Sequence, residues 1–242
     1  FNSFLFADDT SLLLSDKSLD NLQIRAQLEL NRVEEWFYAN RMQLNSKKTR
    51  FIVFNLPKTR RSEPFKIELG GVQLVRVSEE AGEKSVRLVG VLLDEEFSFK
   101  HHINDVKANL NRINYMLARS KNVLPTDIRV LIYNSLVRSV LEFSCILYGS
   151  AGQGQISILE KIQKKVVRNV KGVAGRVHTN NIFMEFGILK VRDLIEYNRR
   201  VFGYGIWYNK LPENIRSDFE RVSTVGAKTR AIEKLSLKVP FC

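Results

Sequence analysis

Cysteine is almost missing from this chain of 242 residues, with Cys145 inside an apolar run and Cys242 at the last position. Two thiols so placed build neither a disulfide framework nor a zinc quartet, which fits a reducing intracellular setting, nuclear or cytoplasmic. Also lacking is any apolar run approaching the roughly 18 to 20 residues that span a bilayer. The amino terminus carries no basic start, apolar stretch and small-residue cleavage site of the secretory kind. It carries no initiator methionine either. The chain opens on Phe1-Asn2-Ser3-Phe4-Leu5-Phe6, already inside a strand pattern, and so reads as a fragment. Internal repeats and low-complexity tails are absent.

What is abundant is positive charge. The 38 Lys+Arg outweigh 26 Asp+Glu by +12, which favours polyanionic partners, nucleic acid first and an anionic membrane surface second. The plain alternative is a basic solvated face. With 44% hydrophobic residues the chain buries a sizeable core, as one large domain or two smaller units.

Residues 1–15 read as two short apolar strands around Ala7-Asp8-Asp9-Thr10, a tight hairpin in which aspartate suits the turn. From Ser18 to about Met42, Leu19, Leu22, Ala26, Leu30, Val33 and Phe37 recur at three- and four-residue spacing and predict one face of a long helix. Phe51-Ile52-Val53-Phe54 reads as a buried strand ended by Pro57, and Phe65 to Leu74 as a hairpin turning on Gly70-Gly71. Ser78 to Ser85 is a polar excursion, and Val86 to Leu93 one further strand. Past Phe99 the period becomes helical throughout. Ile103, Val106, Leu110, Ile113 and Leu117 mark one helix, and Pro125 opens a second through Ile128, Leu131, Leu136 and Val140. Ile156, Leu159, Ile162, Val166 and Val170 mark a third, and a fourth runs from Val191 to Tyr208. The expected division is an α/β unit over 1–98 and a helical unit over 99–242.

Asp8 and Asp9 are the residues with chemistry in prospect. Two-metal phosphoryl or nucleotidyl transfer needs carboxylates that hold two magnesium ions about 3.5 to 4 Å apart, and magnesium is held by a few carboxylates plus substrate phosphates. Adjacent aspartates in a tight hairpin project at least one carboxylate into a cleft while apolar strands anchor them. A solvent-facing Asp-Asp turn is the competing reading, and two residues alone favour it.

The aspartates have company. Phe6-Ala7-Asp8-Asp9-Thr10 resembles the aromatic-Ala-Asp-Asp signature of reverse transcriptases, specifically those of non-LTR, LINE-like retrotransposons including the jockey type. Leu30-Asn31 and Trp36 follow on the helix. Met42 to Arg50 is similar to that family's Leu-Asn-x-x-Lys-Thr segment, and Leu88-Val89-Gly90-Val91-Leu92-Leu93-Asp94 to its Leu-Gly-Val-x-Leu-Asp hairpin. Phe97 with Lys100-His101-His102-Ile103 resembles the aromatic-x-x-His-Ile start of its thumb. Tyr133 to Tyr148, Leu159 to Lys165, Leu211-Pro212 and the stretch near Val239-Pro240 resemble later segments. The resemblance covers nearly the whole chain, and the ordered series is far more specific than any member.

The resemblance implies an α+β fold: a partial reverse-transcriptase palm of antiparallel strands with a long helix, followed by an all-α thumb-like bundle. It implies an RNA-directed DNA polymerase that extends a DNA primer on an RNA template with deoxynucleoside triphosphates and Mg2+. Asp8 and Asp9 would be catalytic and metal-binding, Asp8 the more direct ligand. Lys47, Lys48, Arg50, Gly90, Lys100, Lys164, Lys165 and Arg168 would meet nucleotide or nucleic acid, Gly90 by admitting the primer backbone. The family also needs an earlier palm motif with another catalytic Asp, and none of Asp16, Asp20 and Asp94 substitutes for it. The isolated chain is therefore expected to be catalytically incomplete.

Plainer readings stand beside these. Lys47-Lys48 is equally a solvated cap, Gly90 equally a relief of crowding, and Asp94 a turn former. His101 and His102 lack the partners of a zinc site and suit a helix start with a phosphate contact. Trp36 is read as packing, and Tyr197, Tyr204, Trp207 and Tyr208 as packed against the bundle, with base stacking as the alternative. Met42 to Arg61 holds six basic residues and no acidic one, and 155–200 holds ten against four; both suit phosphate contact with steep salt dependence. A noncatalytic RNA- or DNA-binding remnant and a helical protein-interaction module are the competing functions.

Overall fold

The computed structural model describes residues 2–54, 65–78, 82–221 and 237–238. Pro57, Lys58, Arg60, Arg61 and the Val239-Pro240 stretch lie outside the described residues. The chain divides into two compact units at Asp105/Val106, giving a mixed strand-and-helix unit followed by a helical one.

In the first unit, β1 (Asn2–Phe6) and β2 (Asp9–Leu13) pair antiparallel, and α1 (Leu19–Ala39) follows. Leu19, Leu22, Ala26 and Leu30, the predicted inward face, pack against buried Val53, Phe65, Ile67, Leu69 and Leu74. Gln27 of α1 fastens this contact, accepting the Glu68 N–H at 2.8 Å and donating to the Glu68 carbonyl at 3.0 Å. Trp36 does not pack inward: it is 56% exposed, edge-on to Phe37.

Five two-stranded ladders make up the described β structure. β3 (Arg50–Ile52) pairs with β6 (Val75–Val77), and this ladder is parallel, an exception to the antiparallel expectation. β4 (Glu68–Leu69) and β5 (Val72–Gln73) turn on Gly70 and Gly71 at φ 59 and 72, the double positive φ that two-residue hairpins favour. The run from Val86 to Leu93, one strand by its apolar residues and a hairpin by the resemblance, is a hairpin, β7 (Val86–Leu88) against β8 (Val91–Leu93). Its turn places Val89 at φ 44 and Gly90 at φ 86. A β-branched residue there is strained, which is why an apolar run with one glycine conceals the turn.

The unit division falls inside α2 (Lys100–Ser120), whose Ile103, Val106, Leu110, Ile113 and Leu117 are buried as predicted. Next comes α3 (Thr126–Ile132), continued by a π-helical turn over Tyr133–Arg138 and by α4 (Ser139–Glu142). α5 (Cys145–Tyr148), α6 (Gln153–Lys171), α7 (Asn180–Glu185), α8 (Val191–Trp207) and α9 (Glu213–Arg216) follow. A short ladder of β9 (Glu220–Arg221) with β10 (Leu237–Lys238) qualifies the all-α expectation.

Helix α8 packs on α4, α5 and α6. The close approach of α5 needs Gly149, where an added Cβ would meet Ile195 Cγ2 at 2.5 Å and the Cys145 carbonyl at 2.6 Å. Tyr148, fully buried beside it, donates its hydroxyl to the Leu141 carbonyl. The Tyr148-Gly149 pair is thus a packing device. At the centre lies Gln163 of α6, only 1% exposed. It donates to Tyr133 Oη and to the Leu189 carbonyl and accepts the Val191 N–H, so one buried amide joins α6, the π turn and α8.

Among the described residues no helix is long and apolar enough to cross a membrane.

Candidate active site

The β1–β2 register ends at Phe6↔Asp9, leaving Ala7 and Asp8 as the two turn residues. Positive φ falls on Ala7, at 53, and not on either aspartate. A two-residue turn with positive φ at its first central residue is a place glycine normally takes, so the strain of the motif rests on the alanine and both aspartates keep ordinary backbone. Asp8 stands at the tip and Asp9 begins the returning strand. Both are exposed, and among the described residues neither carboxylate has an ion-pair partner.

The strands behind them are equally open. Phe4, Leu5 and Phe6 are 56%, 75% and 60% exposed, and among the described residues no third strand pairs with either outer edge of the hairpin. A two-stranded ribbon without a covered face is marginally stable by itself.

Aspartate oxygens are the hard donors magnesium takes, and both carboxylates here are at liberty to meet a cation. Among the described residues no three His, Cys, Asp or Glu side chains come together to hold a metal.

The Leu44-to-Arg50 segment is organised by Asn45. Its carbonyl accepts the N–H groups of Lys48 and Thr49 at 3.0 Å and the Thr49 hydroxyl at 2.9 Å. That turn sends Lys47 and Lys48 into solvent. Arg50 behaves differently: it grips Glu83 through Nη2 to Oε1 at 2.8 Å and reaches the Thr49 carbonyl through Nη1 at 3.0 Å. The Glu83 carboxylate pushes the guanidinium pKa further up, and the guanidinium holds Glu83 below the usual carboxylate range. Arg50 is engaged as a strap between β3 and the loop between β6 and β7.

Asp94 is buried and accepts from the Ser98 N–H at 2.8 Å, the Ser98 hydroxyl at 3.0 Å and the Glu96 N–H at 3.2 Å. It forms the turn expected of it. Phe97 and Phe99 flank that turn at φ 51 and 55, with Phe97 stacked on Phe54 at 4.2 Å. Lys100 is exposed at the first position of α2. His102 is not available to a phosphate: it is 3% exposed and its Nδ1 accepts the Leu92 N–H at 3.4 Å. Burial lowers its pKa, opposed by Asp105 and reinforced by Arg87. Gly90 sits at the tip of its hairpin with its carbonyl held by Arg87 at 3.2 Å.

In the helical unit, Lys164 and Lys165 are exposed on the outer face of α6. They are joined by Lys161, which shares that face at three- and four-residue spacing. Arg168 is half-buried and spends its Nε on the Val177 carbonyl at 2.8 Å. The two units divide the charge unevenly. Residues 106–242 hold 23 Lys+Arg against 10 Asp+Glu, net +13, while 1–105 hold 15 against 16, net −1.

The chain is 22% identical over 96% of its length to the RNA-directed DNA polymerase from mobile element jockey of Drosophila melanogaster. It is 24% identical over 78% of its length to the corresponding Drosophila funebris protein. A probable RNA-directed DNA polymerase from transposon X-element of Drosophila melanogaster shares 25% over 78%. The chain is a distant homologue of non-LTR reverse-transcriptase-like proteins. It spans only 20–25% of the length of these curated relatives. No family model and no solved structure matches it.

Proposed function

We propose that this chain is the carboxylate-bearing part of the palm, together with the thumb, of an RNA-directed DNA polymerase of non-LTR retrotransposon type. One observation carries the reading. In a chain homologous to such polymerases over 96% of its length, the Phe-Ala-Asp-Asp turn places both carboxylates at the exposed tip of a hairpin, with the backbone strain taken by Ala7.

In this reading Asp8 and Asp9 face the 3′ end of a DNA primer paired to RNA, whose terminal oxygen attacks the α-phosphorus of a deoxynucleoside triphosphate and releases pyrophosphate. Magnesium, held by Asp8 with Asp9 beside it and by substrate phosphates, would supply charge neutralisation at the attacking and leaving oxygens. The uncovered apolar faces of β1 and β2 are then the surface on which the rest of the palm, with its further carboxylate, is laid. Lys47, Lys48, Lys100, Lys164 and Lys165, all exposed, would then meet phosphate.

The test is primer extension on a primed RNA template in Mg2+ by the full-length protein, wild type and Asp8→Asn. The substitution is expected to abolish incorporation while leaving primed-duplex binding in place; undiminished extension overturns the reading. The 242-residue chain assayed by itself is expected to incorporate little or nothing.

The +13 charge of the helical unit and the lack of a third converging carboxylate among the described residues favour one second reading, a nucleic-acid-binding protein without turnover. Salt-dependent duplex binding with no extension by the full-length protein would select it.

A further inference from the structure

Helical spacing predicts that the tyrosines near the end of α8 pack against the bundle, and the structure places them outside it. Tyr197, Val201, Tyr204 and Tyr208 recur at intervals of four, three and four residues and are 52%, 50%, 49% and 55% exposed. They form one stripe along α8 that flanks its buried face at Leu194, three residues before Tyr197. Eleven residues at about 1.5 Å rise give the stripe a length of roughly 16 Å.

The cation beside it is held in place. Lys210 Nζ lies 4.7 Å from the centre of the Tyr204 ring and 3.5 Å from its hydroxyl. The loop that delivers it is locked: Asn209 turns at φ 56, the Lys210 N–H returns to the Gly205 carbonyl at 2.8 Å, and Arg216 holds Asn209 Oδ1 and the Leu211 carbonyl, each at 2.8 Å. Tyr204 and Tyr208 stand with ring centres 4.3 Å apart. Arg200 adds a second cation, a guanidinium, beside the same face, bonded to Glu196 at 2.8 Å.

We propose that the Tyr197–Tyr204–Tyr208 stripe with Lys210 is a stacking platform for single-stranded nucleic acid, separate from any duplex-binding surface. Side-chain chemistry selects this occupant. A helix seeking a partner helix lines its seam with Leu, Ile and Val, whereas three of the four residues here are tyrosines, whose flat faces accept bases of any identity while their hydroxyls stay wet. The cation over Tyr204 and the +13 of the unit match a phosphate backbone running along the stripe. Asp193 lies on the same face one turn before Tyr197 and bounds the platform at that end. The site stands on the helical unit alone, independently of the role proposed for Asp8 and Asp9.

The experiment is fluorescence anisotropy of a labelled oligo(A) RNA of about 20 nucleotides, long enough to cover one site, with the full chain. Beside it runs the same chain carrying Tyr197, Tyr204 and Tyr208 replaced together by Phe, Leu or Ala. The Phe variant is expected to bind within about twofold of wild type, and the Leu and Ala variants about tenfold or more weakly. An oligonucleotide lacking its bases is expected to bind all variants alike. Lys210→Gln is expected to flatten the salt dependence with the rings intact. Because every substituted side chain is exposed, circular dichroism and unfolding midpoint should not move; were the Ala variant to unfold, Leu against Phe still decides. Unchanged RNA affinity in the Ala or Leu variant overturns the proposal. So does a wild-type dimer, seen by sedimentation, that the Ala variant abolishes, since the stripe would then face a second copy.

Discussion

The side-chain oxygen of Gln163 accepts the first helical N–H of α8, that of Val191, at 3.0 Å. A helix start leaves its first N–H groups without partners inside the helix, and this one is satisfied from the middle of another helix. Replacing Gln163 by Leu strands the Val191 N–H in a place that water does not reach and removes the donor to the Leu189 carbonyl. The expected destabilisation is about 2 kcal/mol, within the roughly one to three of a stranded buried group, read as a lower midpoint in urea unfolding. Tyr133, whose hydroxyl pKa burial pushes up to about 12, should show that titration relax toward its ordinary value if the same substitution opens the site to water.

Ala7 and Val89 hold left-handed backbone that their side chains resist. Ala7→Gly should stabilise the first hairpin, and Val89→Asn or Gly the second, each by about 1 kcal/mol. Val at position 7 should cost at least as much. Hydrogen exchange of the hairpin amides reads each change locally, where a global melt would dilute it.

His102 makes the first unit sensitive to mild acid. Its folded pKa lies below 6.5 because burial disfavours the charged ring, so the unfolded chain binds a proton more readily than the folded one just below that value. The stabilisation from a neutral His102 is therefore complete above about pH 6.5 and is lost as pH falls toward the depressed folded pKa. Thermal midpoints measured from about pH 7.5 to 5, which brackets the histidine range, should fall in the wild type, and fall less in His102→Gln.

Lys164 and Lys165 project from α6, and among the described residues neither is tied to a carboxylate. Replacing both with Gln should weaken binding to primed duplex at low salt and reduce the slope of log affinity against log salt by about 1 to 2 units, close to one for each phosphate left unneutralised. Arg168→Gln should act more on folding than on that slope, because its Nε is committed to the Val177 carbonyl.

The helices were legible because periodic burial leaves a periodic trace: Leu19 to Leu30 and Ile156 to Val170 lie inward as their spacing requires. Gly70-Gly71 declared its turn because glycine pairs seldom serve another purpose. Val89-Gly90 did so only through the resemblance, since valine argues for strand and the glycine alone argues otherwise. β6 was hidden for a different reason: three residues pairing in parallel with a strand far back along the chain leave no local pattern. At the candidate site the sequence located Asp8 and Asp9, and the resemblance supplied their chemistry, but which turn residue bears the strain is a backbone property that Phe-Ala-Asp-Asp does not spell out. Arg50 looked like its lysine neighbours until Glu83, far along the chain, claimed it. Gln163 left a signal that passed unread, a polar residue on the apolar stripe of α6 between Leu159 and Val166. The tyrosines of α8 showed the reverse fault, because helical spacing describes an outward stripe as well as an inward one.

The uneven division of charge has a kinetic consequence. With +13 on residues 106–242 and −1 on 1–105, a polyanion attracts one half of the chain and is indifferent to the other. Encounter is then biased toward the helical half before the partners touch. Raising the salt from about 50 to about 200 mM should slow association far more than it hastens release.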